Sequence, residues 1–102
     1  MTFAELVGSD KPVLIDFYAD WCAPCRMMAP ILEDVKKHFG EDATIYKLDV
    51  DRNPQVAAAY QVQSIPTMIL FHNGEPVWRQ SGVVPAAEIK RIIGTYTAQT
   101  AK

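Results

Sequence analysis

The spacing of apolar residues along this chain changes several times, and each change marks an element. The run Val13-Leu14-Ile15-Asp16-Phe17-Tyr18 is apolar at consecutive positions without alternation, the pattern of a strand covered on both faces. From about residue 24 to 39, Met28, Ile31, Leu32, Val35 and Phe39 recur at helical spacing, and Gly40 supplies a stop. Pro30 falls inside that helix, where its missing N–H and its ring predict a kink. Residues 2–8 read as a short helix ahead of the first strand, and 44–50 as a second strand. Asn53-Pro54 reads as an N-cap with proline in the first turn, opening a short helix to about Tyr60.

The third strand is Thr67-Met68-Ile69-Leu70-Phe71. Asn73-Gly74 is a two-residue hairpin signal, so a fourth strand over about 76–81 should run antiparallel to the third. Pro76 marks that fourth strand as an edge, because proline has no N–H to give a ladder. Pro85 starts a last helix with an apolar stripe of Ile89, Ile92, Ile93 and Tyr96. The sum is an α/β sandwich with helices on both faces of a mixed sheet. A right-handed crossover makes strands 13–18 and 44–50 parallel. At 102 residues the chain fits a single domain, 1–102.

Composition narrows the function classes. The chain is 49% hydrophobic, enough for a core that needs no covalent staples. Its net charge is −2 with both signs interspersed, so the basic stripe of a nucleic-acid binder is missing and no nucleic-acid partner is expected. The apolar runs fall far short of the ~20 residues that span a membrane. Met1-Thr2-Phe3-Ala4-Glu5 lacks a basic start followed by an apolar stretch, so no signal peptide and a cytoplasmic location are expected.

The chemistry points to the two cysteines, Cys22 and Cys25. A bridge between them closes a loop of about 4 residues, for which chain entropy gives roughly 2 kcal/mol, against about 3 for a loop of 15. That spacing suits reversible chemistry better than reinforcement. Cys22 falls where the first strand ends and the long helix begins, a place where sites form in α/β sheets. Unpaired N–H groups and the helix dipole there favour a thiolate, the attacking species in disulfide exchange. The dipole alone supplies about 0.3–2 kcal/mol, so a larger depression of the Cys22 pKa needs hydrogen bonds. Cys25, three residues on, shares a helix face with Cys22 and reaches it from the more buried side. Cys22 would attack a substrate disulfide, and Cys25 would then release the reduced product. Pro24 fits the first turn, where its missing N–H had no partner. A zinc site using His38 and His72, or ordinary buried thiols, are the competing readings; the two histidines lie far apart in sequence.

The segment from Val13 through Asp20-Trp21-Cys22-Ala23-Pro24-Cys25 resembles the active-site segment of the thioredoxin family. Ile65-Pro66-Thr67, Phe71-His72-Asn73-Gly74-Glu75 and Ser81-Gly82 match later landmarks of that family in the same order. The resemblance runs from about residue 12 to the end. It implies a thioredoxin-like three-layer sandwich and roles for several further residues. Asp16, a carboxyl in an apolar strand, would hold a raised pKa and help deprotonate Cys25. Lys47 matches a lysine placed near that aspartate; the plainer reading is a solvated lysine. Ile65-Pro66 would be a cis X-Pro bond packed against the cysteines. Trp21, Ala23, Pro24, Ile65, Pro66, Gly82 and Val83 would bind the substrate, with Ile65 offering main-chain groups to an extended chain. Trp21 as ordinary core is the alternative.

This sequence departs from the family's pattern in places. Ala23 stands where glycine is usual, Tyr18 where tryptophan is common, and Ser64 where glycine often precedes the isoleucine–proline pair. The family's first strand is missing ahead of the first helix, which would leave strand 44–50 as a free sheet edge for a homodimer or another partner to cover. The leading expectation is a protein-disulfide reductase without bound cofactor or metal, fed by a separate, NADPH-using thioredoxin reductase. The alternatives are an oxidant or isomerase of exported proteins, and a thioredoxin-fold binding adaptor.

Overall fold

Thr2 opens the described chain with a reciprocal cap: its hydroxyl accepts from the Glu5 amide, and the Glu5 carboxylate accepts from the Thr2 amide. This fixes α1 (Phe3–Val7) ahead of the sheet. The structure, a computed structural model, describes residues 2–100, and the side chains of residues 2–97.

Four strands follow among the described residues: β1 (Val13–Tyr18), β2 (Thr44–Asp49), β3 (Thr67–His72) and β4 (Glu75–Ser81). They form one sheet in the order β2-β1-β3-β4. The β1–β2 pair is parallel, and the β1–β3 and β3–β4 pairs are antiparallel, as the crossover and hairpin readings require. The remaining helices are α2 (Ala23–Phe39), α3 (Pro54–Ala59) and α4 (Ala86–Thr100). Since β1 and β3 are central, their side chains are buried on both faces, which is why neither alternates in sequence.

The two faces carry separate clusters. Leu14, Met68 and Leu70 pack against Met28, Leu32 and Val35 of α2 and against Ile89 and Ile93 of α4. On the other face, Val13, Ile15, Phe17, Ile69 and Phe71 pack with Val7 of α1 and with Val56 and Tyr60 at α3. Each fully buried aliphatic or aromatic side chain contributes about 1.5–3 kcal/mol, so these layers dominate the fold's stability. Asn73 and Gly74 both have positive φ, +55° and +83°, the twist that joins antiparallel strands tightly. Pro76 lies in the edge strand β4, beside a register shift at Leu70/Phe71. Trp78 of β4 packs partly against the α2/α4 layer.

One local reading differs from the sequence expectation. Asn53 occupies the cap position of α3, but its side chain makes no cap; it donates to the Asp49 carbonyl at 3.0 Å. The tight turn from Asp49 to Asn53 brings that carbonyl within reach and claims the side chain. Helix α2 runs as one element through Pro30. Pro30 is exposed, so water can reach the carbonyl that loses its helical partner there.

Candidate functional site

The chain leaves β1 at Tyr18, turns through Ala19-Asp20-Trp21 and enters α2 with Cys22 as its N-cap. Two bonds hold this turn: the Cys22 amide donates to the Ala19 carbonyl at 3.2 Å, and the Arg26 guanidinium donates to the Asp20 carbonyl at 2.8 Å. Cys22 and Cys25 form a disulfide with their Cα atoms 5.3 Å apart. The Cys25 amide donates to the Cys22 sulfur at 3.2 Å, so one of the helix's first free N–H groups already points at that atom. In this oxidised form the two cysteines are almost equally buried, at 4% and 3% exposure. Burial therefore does not rank them as the sequence reading expected. What separates them is position: Cys22 receives the helix-end N–H, and Cys25 lies inside the helix.

Asp16 is fully buried, and neither carboxylate oxygen has a hydrogen-bond partner among the described residues. Burial raises its pKa from 3.8 to about 6, and the positive charge of Lys47 opposes that rise. Asp16 shares the sheet face of Leu14, the face that α2 covers and whose first turn carries Cys25. Lys47 stands opposite Asp16 in the β1–β2 register, with its ammonium 4.6 Å from the centre of the Tyr18 ring. Its side chain is exposed, so the lysine is both solvated and in electrostatic reach of Asp16.

Trp21 is 69% exposed, which rules out the core reading. Its indole N–H donates to Asp51 at 2.9 Å, a contact across 30 residues that orients the ring. Ala23 and Pro24 are exposed in the first turn of α2. The Ile65–Pro66 bond is cis, and Ile65 packs against the cysteine pair. The Pro66 carbonyl accepts from the Gly82 amide at 2.8 Å, which ties the two loops together. Gly82 has φ +89°, a conformation that side chains disfavour, and Val83 beside it is 43% exposed.

Sequence reasoning missed Asp51, Arg26 and Thr67. Thr67 is buried; its hydroxyl donates to the Ser64 carbonyl at 2.6 Å and lies 2.9 Å from the Ser81 hydroxyl, bracing the Ile65–Pro66 loop. A buried-strand threonine right after proline was a visible signal; Asp51 had none, since its partner lies in another loop. His38 is exposed at the end of α2, and the His72 ring packs against Tyr96. Among the described residues, no three His, Cys, Asp or Glu side chains are grouped to hold a metal, and no helix is long and apolar enough to cross a membrane.

Comparison with known proteins agrees with this geometry. The family model described as Thioredoxin matches residues 1–95. A thioredoxin-like protein of Synechocystis sp. is 54% identical over 88 residues, spanning 85% of this chain and 84% of that protein. The bifunctional thioredoxin reductase/thioredoxin of Mycobacterium leprae is 51% identical over 89 residues, spanning 87% of this chain and 19% of that longer protein. A solved mutant thioredoxin from Halobacterium salinarum superposes with a TM-score of 0.84 at 39% identity, covering 92% of this chain and 81% of that one. A cysteine pair capping the helix that follows a central strand, in a fold and sequence matched this widely, means that the chain belongs to the thioredoxin family and is a thiol–disulfide oxidoreductase acting on protein disulfides.

Proposed function

We propose that the chain works as a dithiol reductase, with Cys22 as nucleophile and Cys25 as resolving thiol. The observation that carries this reading is the Cys25 amide aimed at the Cys22 sulfur, which favours negative charge there once the disulfide opens. The Cys22 thiolate attacks a substrate disulfide, forming a mixed disulfide and expelling one substrate thiolate. Cys25 gives its proton to Asp16, whose raised pKa suits a proton acceptor near neutrality, and attacks Cys22. The second substrate thiolate leaves and the Cys22–Cys25 bond re-forms. Lys47 tempers the Asp16 pKa.

Trp21, Ala23, Pro24, Ile65, Pro66, Gly82 and Val83 form the docking surface. The exposure of Trp21, Ala23, Pro24 and Val83, and the proline at 66, which offers no competing N–H, suit an extended substrate strand laid along Ile65. Two electrons return through a separate thioredoxin reductase acting on the Cys22–Cys25 disulfide. The fusion of a thioredoxin reductase with a thioredoxin in the Mycobacterium leprae relative supports that partner. No bound cofactor is needed for thiol exchange itself. A reducing cytoplasm suits a dithiol kept open, and a homodimer through the free edge of β2 would leave the cysteine end of the sheet accessible.

Insulin-disulfide reduction with dithiothreitol tests the assignment. Cys22→Ser should abolish turnover, and Cys25→Ser should accumulate a mixed disulfide through Cys22. Equal turnover in Cys22→Ser and the natural chain defeats the reading. A potential well above that of the glutathione pool would reassign the protein as an oxidant.

A further inference from the structure

We propose that Arg79 is a positioning residue for substrate docking: its guanidinium holds the start of the loop that presents Ile65 to an extended substrate chain. This rests on the reading above that substrates lie along Ile65. Helix α3 ends in a paired pattern: the Gln61 amide donates to the Ala58 carbonyl at 3.0 Å, and the Val62 amide to the Ala57 carbonyl at 2.9 Å. Gln61 takes the left-handed position of that turn, φ +54°, where glycine is usual. This pattern leaves over the carbonyls of Tyr60 and Gln61, and the Arg79 guanidinium donates to both, at 2.8 Å to Gln61. An arginine fork suits two successive carbonyls, because it offers several donors in one plane and stays charged. Its charge also favours the carbonyl end of the helix.

Two side chains on one face of β4 hold this loop at both ends. Arg79 stands opposite Ile69 in the β3–β4 register and Ser81 opposite Thr67, so both point to the same side of the sheet. Arg79 holds Tyr60 and Gln61. At the far end, the Ser81 hydroxyl lies 2.9 Å from the Thr67 hydroxyl, which donates to the Ser64 carbonyl. The Gly82 amide holds the Pro66 carbonyl there as well. The Tyr60 ring adds to the first anchor, with its centre 5.3 Å from that of Phe71. Residues 62–65 therefore run between two fixed points.

Main-chain pairing needs both anchors. The bonds at Pro66 fix where Ile65 lies, but a chain held at one end still pivots about it. The upstream anchor sets the direction from which residues 62–65 arrive, and with it the direction of the Ile65 N–H and C=O groups. Hydrogen bonds weaken steeply as they bend, so that direction decides how well a substrate strand pairs. Without Arg79 the loop has more orientations to give up when substrate binds. Arg79 is exposed and lies outside the cysteine cluster, so the exchange chemistry itself makes no use of it.

Steady-state reduction of two disulfides tests this. Hydroxyethyl disulfide carries no amide to pair with Ile65, so Arg79→Ala should reduce it at the natural rate. With insulin, Arg79→Ala should raise KM about three- to tenfold while kcat stays near natural. Arg79→Lys, which keeps a cation over the same carbonyls, should recover most of that loss. Amide hydrogen exchange in Arg79→Ala should quicken about tenfold over residues 62–65 and stay natural over β1 and β3. An unchanged insulin KM, an equal slowing with both disulfides, or exchange that quickens alike across the sheet overturns the proposal. Cys22→Ser measured alongside keeps the two readings apart. Turnover there at the natural rate defeats the reductase reading, whereas a natural insulin KM in Arg79→Ala beside an inactive Cys22→Ser defeats this inference alone.

Discussion

Asp16 stands directly opposite Lys47 across the β1–β2 ladder, yet the carboxylate is buried and without a hydrogen bond while the ammonium is exposed over Tyr18. Desolvation therefore outweighs attraction, and the carboxyl of the folded protein prefers to stay protonated up to about pH 6.

That preference has a consequence for stability. A folded-state pKa of about 6 against an ordinary 3.8 makes Asp16 most favourable to folding below about pH 4. The contribution fades as pH rises through about 6, by about 3 kcal/mol in all. Asp16→Asn should stabilise the oxidised protein by about 2–3 kcal/mol at pH 7.5 and by little near pH 4, read by urea unfolding across that range. A gain independent of pH would show that ionisation is not its source.

The same variant should impair the release step. Without a proton acceptor, the mixed disulfide persists longer, and the inflection near pH 6 in the insulin-reduction rate disappears. Stopped-flow measurement of mixed-disulfide decay from pH 5 to 8 reads this directly, and an unchanged profile removes Asp16 from the proton path.

Trp21 and Asp51 should separate docking from chemistry. Truncating an exposed aromatic anchor typically costs more than about 1 kcal/mol of binding, so Trp21→Ala should raise KM for a protein disulfide about five- to tenfold. Asp51→Ala, which loses one oriented hydrogen bond, should raise it about two- to fivefold. Neither should shift the redox potential, measured against glutathione, by more than a few millivolts.

Gly82 is held at φ +89° with open space where a Cβ would stand. Gly82→Ala meets no clash, so its effect is conformational and should destabilise the chain by about 1–2 kcal/mol. A denaturation midpoint equal to that of the natural protein would show that the loop relaxes.

Opening the Cys22–Cys25 bond should lower stability by about 2 kcal/mol, the loop-entropy value for so short a ring. Paired urea titrations of oxidised and reduced protein at one pH measure it.

Much of this was legible in the residues themselves. The unbroken apolar run 13–18 announced a central strand, because a strand covered on both faces has no polar side to alternate with. Asn73-Gly74 announced the hairpin, because few other pairs accept two positive φ values. Cys22 and Cys25 declared their chemistry through a spacing that belongs to one helical turn. These features depend on near neighbours, and near neighbours are written in order along the chain.

What only the tertiary structure decided are relationships between distant segments. Sequence favoured Trp21 as a docking residue with core as the alternative, and the contact with Asp51, thirty residues away, fixed it as an oriented surface ring. Sequence placed Asn53 as a cap, and the fold of the turn sent its amide to Asp49 instead. The raised pKa of Asp16 needed the layer of α2 above it to exclude water, and the free half of β2 needed the strand order to expose it. The sequence announced both as expectations, but desolvation and edge exposure are properties of what surrounds a residue in space, so only the packed fold set their extent.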